Sequence, residues 1–196
     1  MMKTVIFDLN GVFIQSPKLS DRFQEDFGVA ADKFLPALKE IMDKIRRPGA
    51  NNMYDYWKPY FTDWGIKFNR EEFSDYWFKA EKENREMISL AEFLKKRGWR
   101  IFILSNNFKE RAEYYKNNFP FLAEIFNKVY YSWQTGFVKP GRECFELIIK
   151  ENGLNPTECL YFDDSEKNVE IAKSFGMEAH IFENREQVEG IIKNNR

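Results

Sequence analysis

Three short apolar runs, far apart in the chain, each stop at a residue able to do chemistry. This regularity constrains the fold more than any other feature. Lys3-Thr4-Val5-Ile6-Phe7 ends at Asp8 and opens the turn Asp8-Leu9-Asn10-Gly11-Val12. Ile101-Phe102-Ile103-Leu104 ends at Ser105-Asn106, and Leu160-Tyr161-Phe162 ends at Asp163-Asp164-Ser165. Apolar runs this short, followed by helical patterns, predict buried parallel strands. Open α/β sheets bind ligands at the carboxyl ends of such strands. A carboxylate, a hydroxyl with an amide, and a carboxylate pair are therefore expected to converge on one crevice.

The rest of the chain supplies the helices such a sheet needs. After the first strand the pattern stays helical for a long stretch. Asp32 is expected to cap a helix through Phe34, Leu38, Ile41 and Ile45, with Pro36 in its first turn and Pro48-Gly49 beyond its end. Asn69-Arg70-Glu71-Glu72 has capping-box spacing ahead of Phe73, Trp77 and Ala80. Two further helices between these are expected to carry Tyr54, Trp57, Tyr60 and Phe61. No strand pattern interrupts, so residues 15–85 read as a helical insertion, and residues 1–14 with 86–196 read as the sheet-bearing core. The core resumes near Ile88 with Leu90, Ala91, Phe93 and Leu94, and Gly98 ends that helix. Asn107 begins a helical pattern that stops at Pro120, and Val129–Ser132 reads as a strand. Lys139-Pro140 opens a helix with Phe145, Ile148 and Ile149 inward. Ser165 is placed to cap a helix ending at Gly176, Ala179–Phe182 is the last strand, and Gln187–Lys193 a last helix. Alternation of this kind predicts a parallel sheet with helices on both faces.

Composition narrows the function. The 196 residues suit one α/β domain with an insertion. A net charge of -1 gives no field for nucleic acid or membrane. No apolar stretch reaches transmembrane length, and the first residues lack a signal-peptide cleavage pattern. Cys144 and Cys159 read as free core thiols of a cytoplasmic protein.

In the expected crevice, Asp8, Asp163 and Asp164 repel one another unless a cation holds them. Mg²⁺ suits one or two carboxylates plus substrate oxygens and water. Ser105 and Asn106 offer hydroxyl and amide donors for phosphate oxygens, and Lys139 adds positive charge. This set describes phosphoryl transfer with Asp8 as nucleophile through an aspartyl-phosphate.

These residues resemble four ordered motifs of the haloacid dehalogenase-like hydrolases. Phe7-Asp8-Leu9-Asn10-Gly11-Val12 is similar to the first, which carries the nucleophile. Leu104-Ser105-Asn106 is similar to the second, whose Ser or Thr binds the phosphoryl group. Lys139-Pro140 with Phe145 is similar to the third, whose lysine steadies nucleophile and phosphate. Phe162-Asp163-Asp164-Ser165 with Asn168, Ala172, Gly176 and Met177 is similar to the fourth. The resemblance implies a Rossmann-like core whose helical insertion acts as a cap. It implies Mg²⁺ on Asp8, Asp164 and the main-chain carbonyl of Asn10, with Asp163 beside them. It points to the branch of sugar-phosphate phosphatases and the epoxide hydrolase N-terminal domain, and to a small phosphorylated metabolite as substrate.

One position departs from the pattern. Family phosphatases carry a second aspartate two residues after the nucleophile as general acid and base, and here Asn10 stands there. An amide cannot donate and recover that proton, a loss of about 10²–10⁴ in rate. Two readings stay open: Asn10 is native, or it replaces an isosteric aspartate. A non-catalytic phosphate-ligand or partner-binding protein is the rival reading, and a metal-independent 2-haloacid dehalogenase the third. Substrate identity and oligomeric state are open.

Other features read as structure. Tyr54, Tyr56, Trp57, Tyr60 and Trp64 read as packing within the insertion, with a substrate pocket under it as the other reading. Arg46-Arg47 read as a solvated helix end, with contact to a second anionic group of the substrate as the other reading, and Glu81–Arg85 as a solvated helix face. His180, the one histidine, is a packed or edge strand residue rather than part of a metal cluster.

Overall fold

The computed structural model describes residues 4–194; Lys3, at the head of the expected first strand, lies outside them. Strand β1, Thr4–Phe7, leads through the turn at Asp8 into a two-residue strand, β2, Ile14–Gln15. Four helices follow: α1 Leu19–Phe27, α2 Ala31–Ile45, α3 Met53–Asp63 and α4 Arg70–Phe78. Strand β3, Lys82–Glu83, pairs antiparallel with β2 and closes this segment. Next come α5 Arg85–Lys96, β4 Arg100–Ser105, α6 Lys109–Asn118, α7 Phe121–Glu124, β5 Lys128–Tyr131 and α8 Ser132–Thr135. The chain ends with α9 Arg142–Asn152, β6 Cys159–Asp163, α10 Glu166–Ser174, β7 Glu178–Ile181 and α11 Arg185–Asn194.

The large sheet has five parallel strands in the order β5-β4-β1-β6-β7. Apolar runs without polar alternation suit these strands because both faces are covered. Val5, Phe7, Ile101, Ile103, Leu160 and Phe162 point to one face, under Leu90 and Leu94 of α5 and Val188 and Ile192 of α11. Ile6, Phe102, Leu104 and Tyr161 point to the other, under Phe145 and Ile148 of α9 and Val169 and Ala172 of α10. Because β1 lies between β4 and β6, the chain leaves it in opposite directions on its two sides. Phe7 pairs level with Ile103 and with Phe162. Asp8, Ser105 and Asp163 therefore emerge together at the carboxyl end of the sheet, at the point where the strand order reverses.

Helices α1–α4 pack on their own apolar cluster, centred on Phe23, Phe34, Trp57, Phe61 and Phe73. Phe108, just ahead of α6, joins that cluster, with its ring 5.3 Å from that of Trp77. Tyr54, Tyr56, Tyr60 and Trp64 pack against the same cluster.

Several local expectations differ from the structure. Ala30, not Asp32, precedes α2, and Asp32 lies in its first turn without capping it. Pro36 falls past the first turn, inside α2. One helix, α3, carries Tyr54, Trp57, Tyr60 and Phe61 together, because Asn52 caps it through Tyr54 and nothing breaks it before Asp63. The ribbon of β2 and β3 interrupts the expected all-helical stretch; two residues per strand are too few to show a period. Lys139-Pro140 does not begin α9, which starts at Arg142 behind Gly141. Asn107 likewise precedes α6 by two residues. Ser165 sits at the start of α10, but its side chain makes no capping bond. The capping box of Asn69 and Glu72 is present in both directions, at 2.9 and 2.8 Å. Both cysteines are free and buried. His180 lies on β7, an edge strand, stacked on Phe162 and 3.1 Å from Glu178. Among the described residues, no helix is long and apolar enough to cross a membrane.

Candidate active site

The site begins with backbone pairing at the carboxyl end of the sheet. The Asp8 N–H donates to the Phe162 carbonyl at 2.9 Å, which locks the first turn against the end of β6. Gly11, at φ 86°, then carries the chain past Asp164. A Cβ on Gly11 would lie 2.6 Å from Asp164 Oδ2, so only glycine fits both the left-handed backbone and the close approach.

Lys139 sits between two carboxylates. Its Nζ lies 2.8 Å from Asp8 Oδ1 and 2.6 Å from Asp163 Oδ2, and its side chain is buried. Burial opposes its charge, but Asp8 and Asp163 outweigh burial and hold its pKa above the ordinary lysine value. Asp163 is likewise buried, yet the Lys139 ammonium and hydrogen bonds from Tyr161 and Asn168 hold its carboxyl below the usual range. The Asp163 oxygens take four donors: Lys139 and the Tyr161 hydroxyl on Oδ2, and the Ser165 N–H and Asn168 Nδ2 on Oδ1. A carboxylate has about four acceptor positions. Asp163 is therefore saturated, and it serves to hold Lys139 and the start of α10.

Asp8 differs. Burial pushes its pKa up to about 6, against the pull of Lys139 and with repulsion from Asp163. Asp164 is also raised, by burial first and then by the Asp163 charge. Oxygens of Asp8, Asp163 and Asp164 all lie within 4.8 Å of one another. One ammonium facing three carboxylates leaves negative charge unbalanced, and a hard divalent cation fits that need. Asp8 and Asp164 have oxygens to give it, whereas Asp163 does not.

The residues expected at the second motif separate in role. Ser105 is buried at the end of β4, and its Oγ has no hydrogen-bond partner. An unpaired buried hydroxyl is costly unless a ligand completes it. Asn106 does not present its amide as the sequence suggested. Its Nδ2 donates to the Lys139 carbonyl and its Oδ1 accepts the Lys139 N–H, both at 2.8 Å, so it clips the lysine's backbone in place.

Asp8, Asn10, Ser105 and Lys139 line a cavity of about 280 Å³ together with Arg46 and Lys167. Of the two readings of Arg46-Arg47, the solvated helix end holds for Arg47 and not for Arg46. Arg46 follows α2 half-buried over the cavity, with Nε enclosed and unpartnered, while Arg47 is exposed. Burial and the charge of Arg111 lower its pKa, with only weak relief from Asp43 and Asp8. Glu81 is a correction to the sequence reading: it is fully buried and paired with Arg111, not part of a solvated helix face. Tyr161 could have been found from sequence, since period-two alternation puts it on the same side of β6 as Asp163. Glu81, Arg111 and Tyr115 carried no such signal.

The chain belongs to the haloacid dehalogenase-like hydrolase family, whose model matches residues 2–176. A D-ribitol-5-phosphate phosphatase of Bacteroides thetaiotaomicron is 27% identical over 198 residues, covering 94% of this chain and 93% of the relative. The rat bifunctional epoxide hydrolase 2 is 27% identical over 101 residues, 50% of this chain and 18% of that protein. Among solved structures, a family enzyme of Bacteroides thetaiotaomicron superposes with a TM-score of 0.82 at 21% identity, covering 97% of this chain and 98% of that one. The same enzyme solved with magnesium and inorganic phosphate gives a TM-score of 0.78 at 19% identity, covering 93% and 95%. These likenesses show the shared α/β fold.

Proposed function

We propose that this chain is a Mg²⁺-dependent phosphomonoester hydrolase that acts through an aspartyl-phosphate on Asp8, with a small phosphorylated metabolite as substrate. The observation that carries this reading is the Lys139 ammonium held between Asp8 and Asp163, beside a buried Ser105 hydroxyl with no partner. A pure binder has no need to hold a lysine against a nucleophilic carboxylate. The phosphatase and the magnesium–phosphate complex among its relatives support the same reading. The helical segment α1–α4 serves as the cap over the crevice, roughly residues 15–85, and it brings Arg46 to the cavity.

Asp8, Asp164 and the Asn10 main-chain carbonyl would hold the cation, which neutralises charge on the transferring phosphoryl group. Lys139 fixes Asp8 Oδ1, and the other Asp8 oxygen attacks phosphorus. The bond from phosphorus to the ester oxygen breaks as the bond to Asp8 forms. Ser105 and Lys139 donate to phosphoryl oxygens. Asn10 has no proton to give, so the leaving oxygen takes one from water. A water then attacks phosphorus, the bond to Asp8 breaks, and phosphate leaves.

Two measurements test this. Rapid quench with a ³²P-labelled ester is expected to trap label on Asp8, and to trap none in Asp8→Asn. Aryl phosphates, whose phenolates leave unprotonated, are expected to outpace alkyl phosphates. Asn10→Asp is expected to raise alkyl turnover by about 10² or more. Equal alkyl and aryl rates in the parent would overturn the role given to Asn10. Absence of a phosphoenzyme, with saturable phosphate-ester binding, would favour a binding protein.

A further inference from the structure

Asn10 is restrained at its place beside the nucleophile. Its Nδ2 donates to the Tyr115 hydroxyl at 2.7 Å. Tyr115 is wholly buried on α6, and a buried ion pair backs it. Arg111, one turn earlier, donates through Nε to Glu81 Oε1 at 2.8 Å and through Nη2 to Ser16 Oγ at 2.9 Å. Ser16 in turn donates to Glu81 Oε1 at 3.2 Å. The Arg111 guanidinium also lies over the Tyr115 ring, 5.4 Å from its centre. Glu81 Oε2 is buried with no partner of its own.

The direction of these bonds follows from the groups. A neutral phenol accepts and has one proton to give. The Asn10 amide fills an accepting position of that oxygen. The cluster also reaches the root of the helical segment: Ser16 directly follows β2, and Glu81 directly precedes β3.

We propose that Tyr115 is a positioning residue for the reaction, fixing the Asn10 carboxamide, and with it the residue whose main-chain carbonyl would hold the cation, beside Asp8 while Arg111, Glu81 and Ser16 tie it to the ribbon where the helical segment leaves and rejoins the sheet. The proposal rests on the phosphatase reading of the Asp8 site and deepens it. It makes Asn10 a built-in residue whose orientation follows the posture of the ribbon.

The test is a cycle of Tyr115→Phe with Asn10→Ala, which keeps the buried ring and removes only the bond. For an aryl phosphate with Mg²⁺, Tyr115→Phe is expected to lower kcat on the order of tenfold with KM within about twofold. In the Asn10→Ala background the same change is expected to move kcat by less than about twofold. Equal losses in both backgrounds, as a general structural role would give, overturn the proposal. A second readout needs no turnover. The side-chain amide signals of Asn10 in a ¹H–¹⁵N spectrum, identified by their loss in Asn10→Asp, are expected to shift and exchange faster with solvent in Tyr115→Phe. Glu81→Gln is expected to move them the same way by less. Unchanged signals overturn the proposal even if the chain proves inactive, whereas moved signals in an inactive chain sink only the phosphatase reading.

Discussion

Two buried regions of this protein are built on opposite terms. The helical segment encloses Phe23, Phe34, Trp57, Phe61 and Phe73 in a cluster of ring contacts such as Phe61 on Phe73 at 4.7 Å. Its interior is held by apolar burial and ring packing. The carboxyl end of the sheet encloses Asp8, Lys139 and Asp163, where burial works against each charge and only mutual pairing holds them. Buried ion pairs of this kind contribute little net stability, and Lys139 keeps Asp163 if Asp8 loses its charge. The first region is stable for its own sake, while the second is a reactive arrangement that the rest of the fold must support.

The contrast breaks most visibly at Asp8. Asp8→Asn is expected to reduce turnover to background, a loss of about 10⁴ or more. It is also expected to stabilise the metal-free protein. Asp8 has its pKa raised to about 6 by burial, so the folded state binds this proton more tightly than the unfolded chain does. Stability from this group is present in acid and is lost as pH rises through about 6. At pH 7 the ionised carboxylate costs on the order of 1–3 kcal/mol, which an amide does not. Thermal melts without Mg²⁺ should therefore show the variant above the parent at pH 7, with the gap closing toward pH 4. A variant melting lower at pH 7 would mean that this end of the sheet is held by its charges after all.

In the helical segment the sign reverses. Trp57 is fully buried, with its ring 5.3 Å from Phe34 and 5.6 Å from Phe73. Trp57→Ala is expected to cost about 3–5 kcal/mol by denaturant unfolding. Trp57→Phe should cost much less, because the indole Nε1 is buried without a partner and its loss relieves an unmet donor. Equal losses for the two variants would show that the indole edge is worth more than its ring packing.

The same division explains what was legible in the sequence. The sheet could be read because its strands are buried on both faces, which leaves continuous apolar runs, and because each run stops at the residue the site uses. Asp8, Ser105 and the Asp163-Asp164 pair could be placed together for that reason, whereas Lys139 ends no such run and is read from the motif it resembles. The Asn69 capping box was local and equally plain. What the sequence hid depends on partners far along the chain. Glu81 sits in a charged run that reads as solvent-facing, and only Arg111, 30 residues later, shows it to be buried. Asn106 reads as a phosphate donor until Lys139 claims both ends of its amide. The ribbon of β2 and β3 has two residues a side, too short to leave a pattern.

Arg46 joins the two regions, and it gives the smallest expected effect. It is carried by the helical segment yet faces the reactive end of the sheet, with Nε enclosed and unpartnered. A guanidinium held this way lowers stability unless an anion or polar group meets it. On the proposed reading that group belongs to the substrate, away from the phosphoryl end. Arg46→Gln is then expected to raise KM about tenfold for a phosphorylated polyol or phosphorylated acid, with kcat within a few-fold. For phenyl phosphate, which offers no such group, KM should hold. The melting temperature should not fall, since the change removes a half-buried cation whose Nε has no partner. A lower melting temperature with unchanged KM would instead make Arg46 a structural member of the helical segment, bound to that region alone.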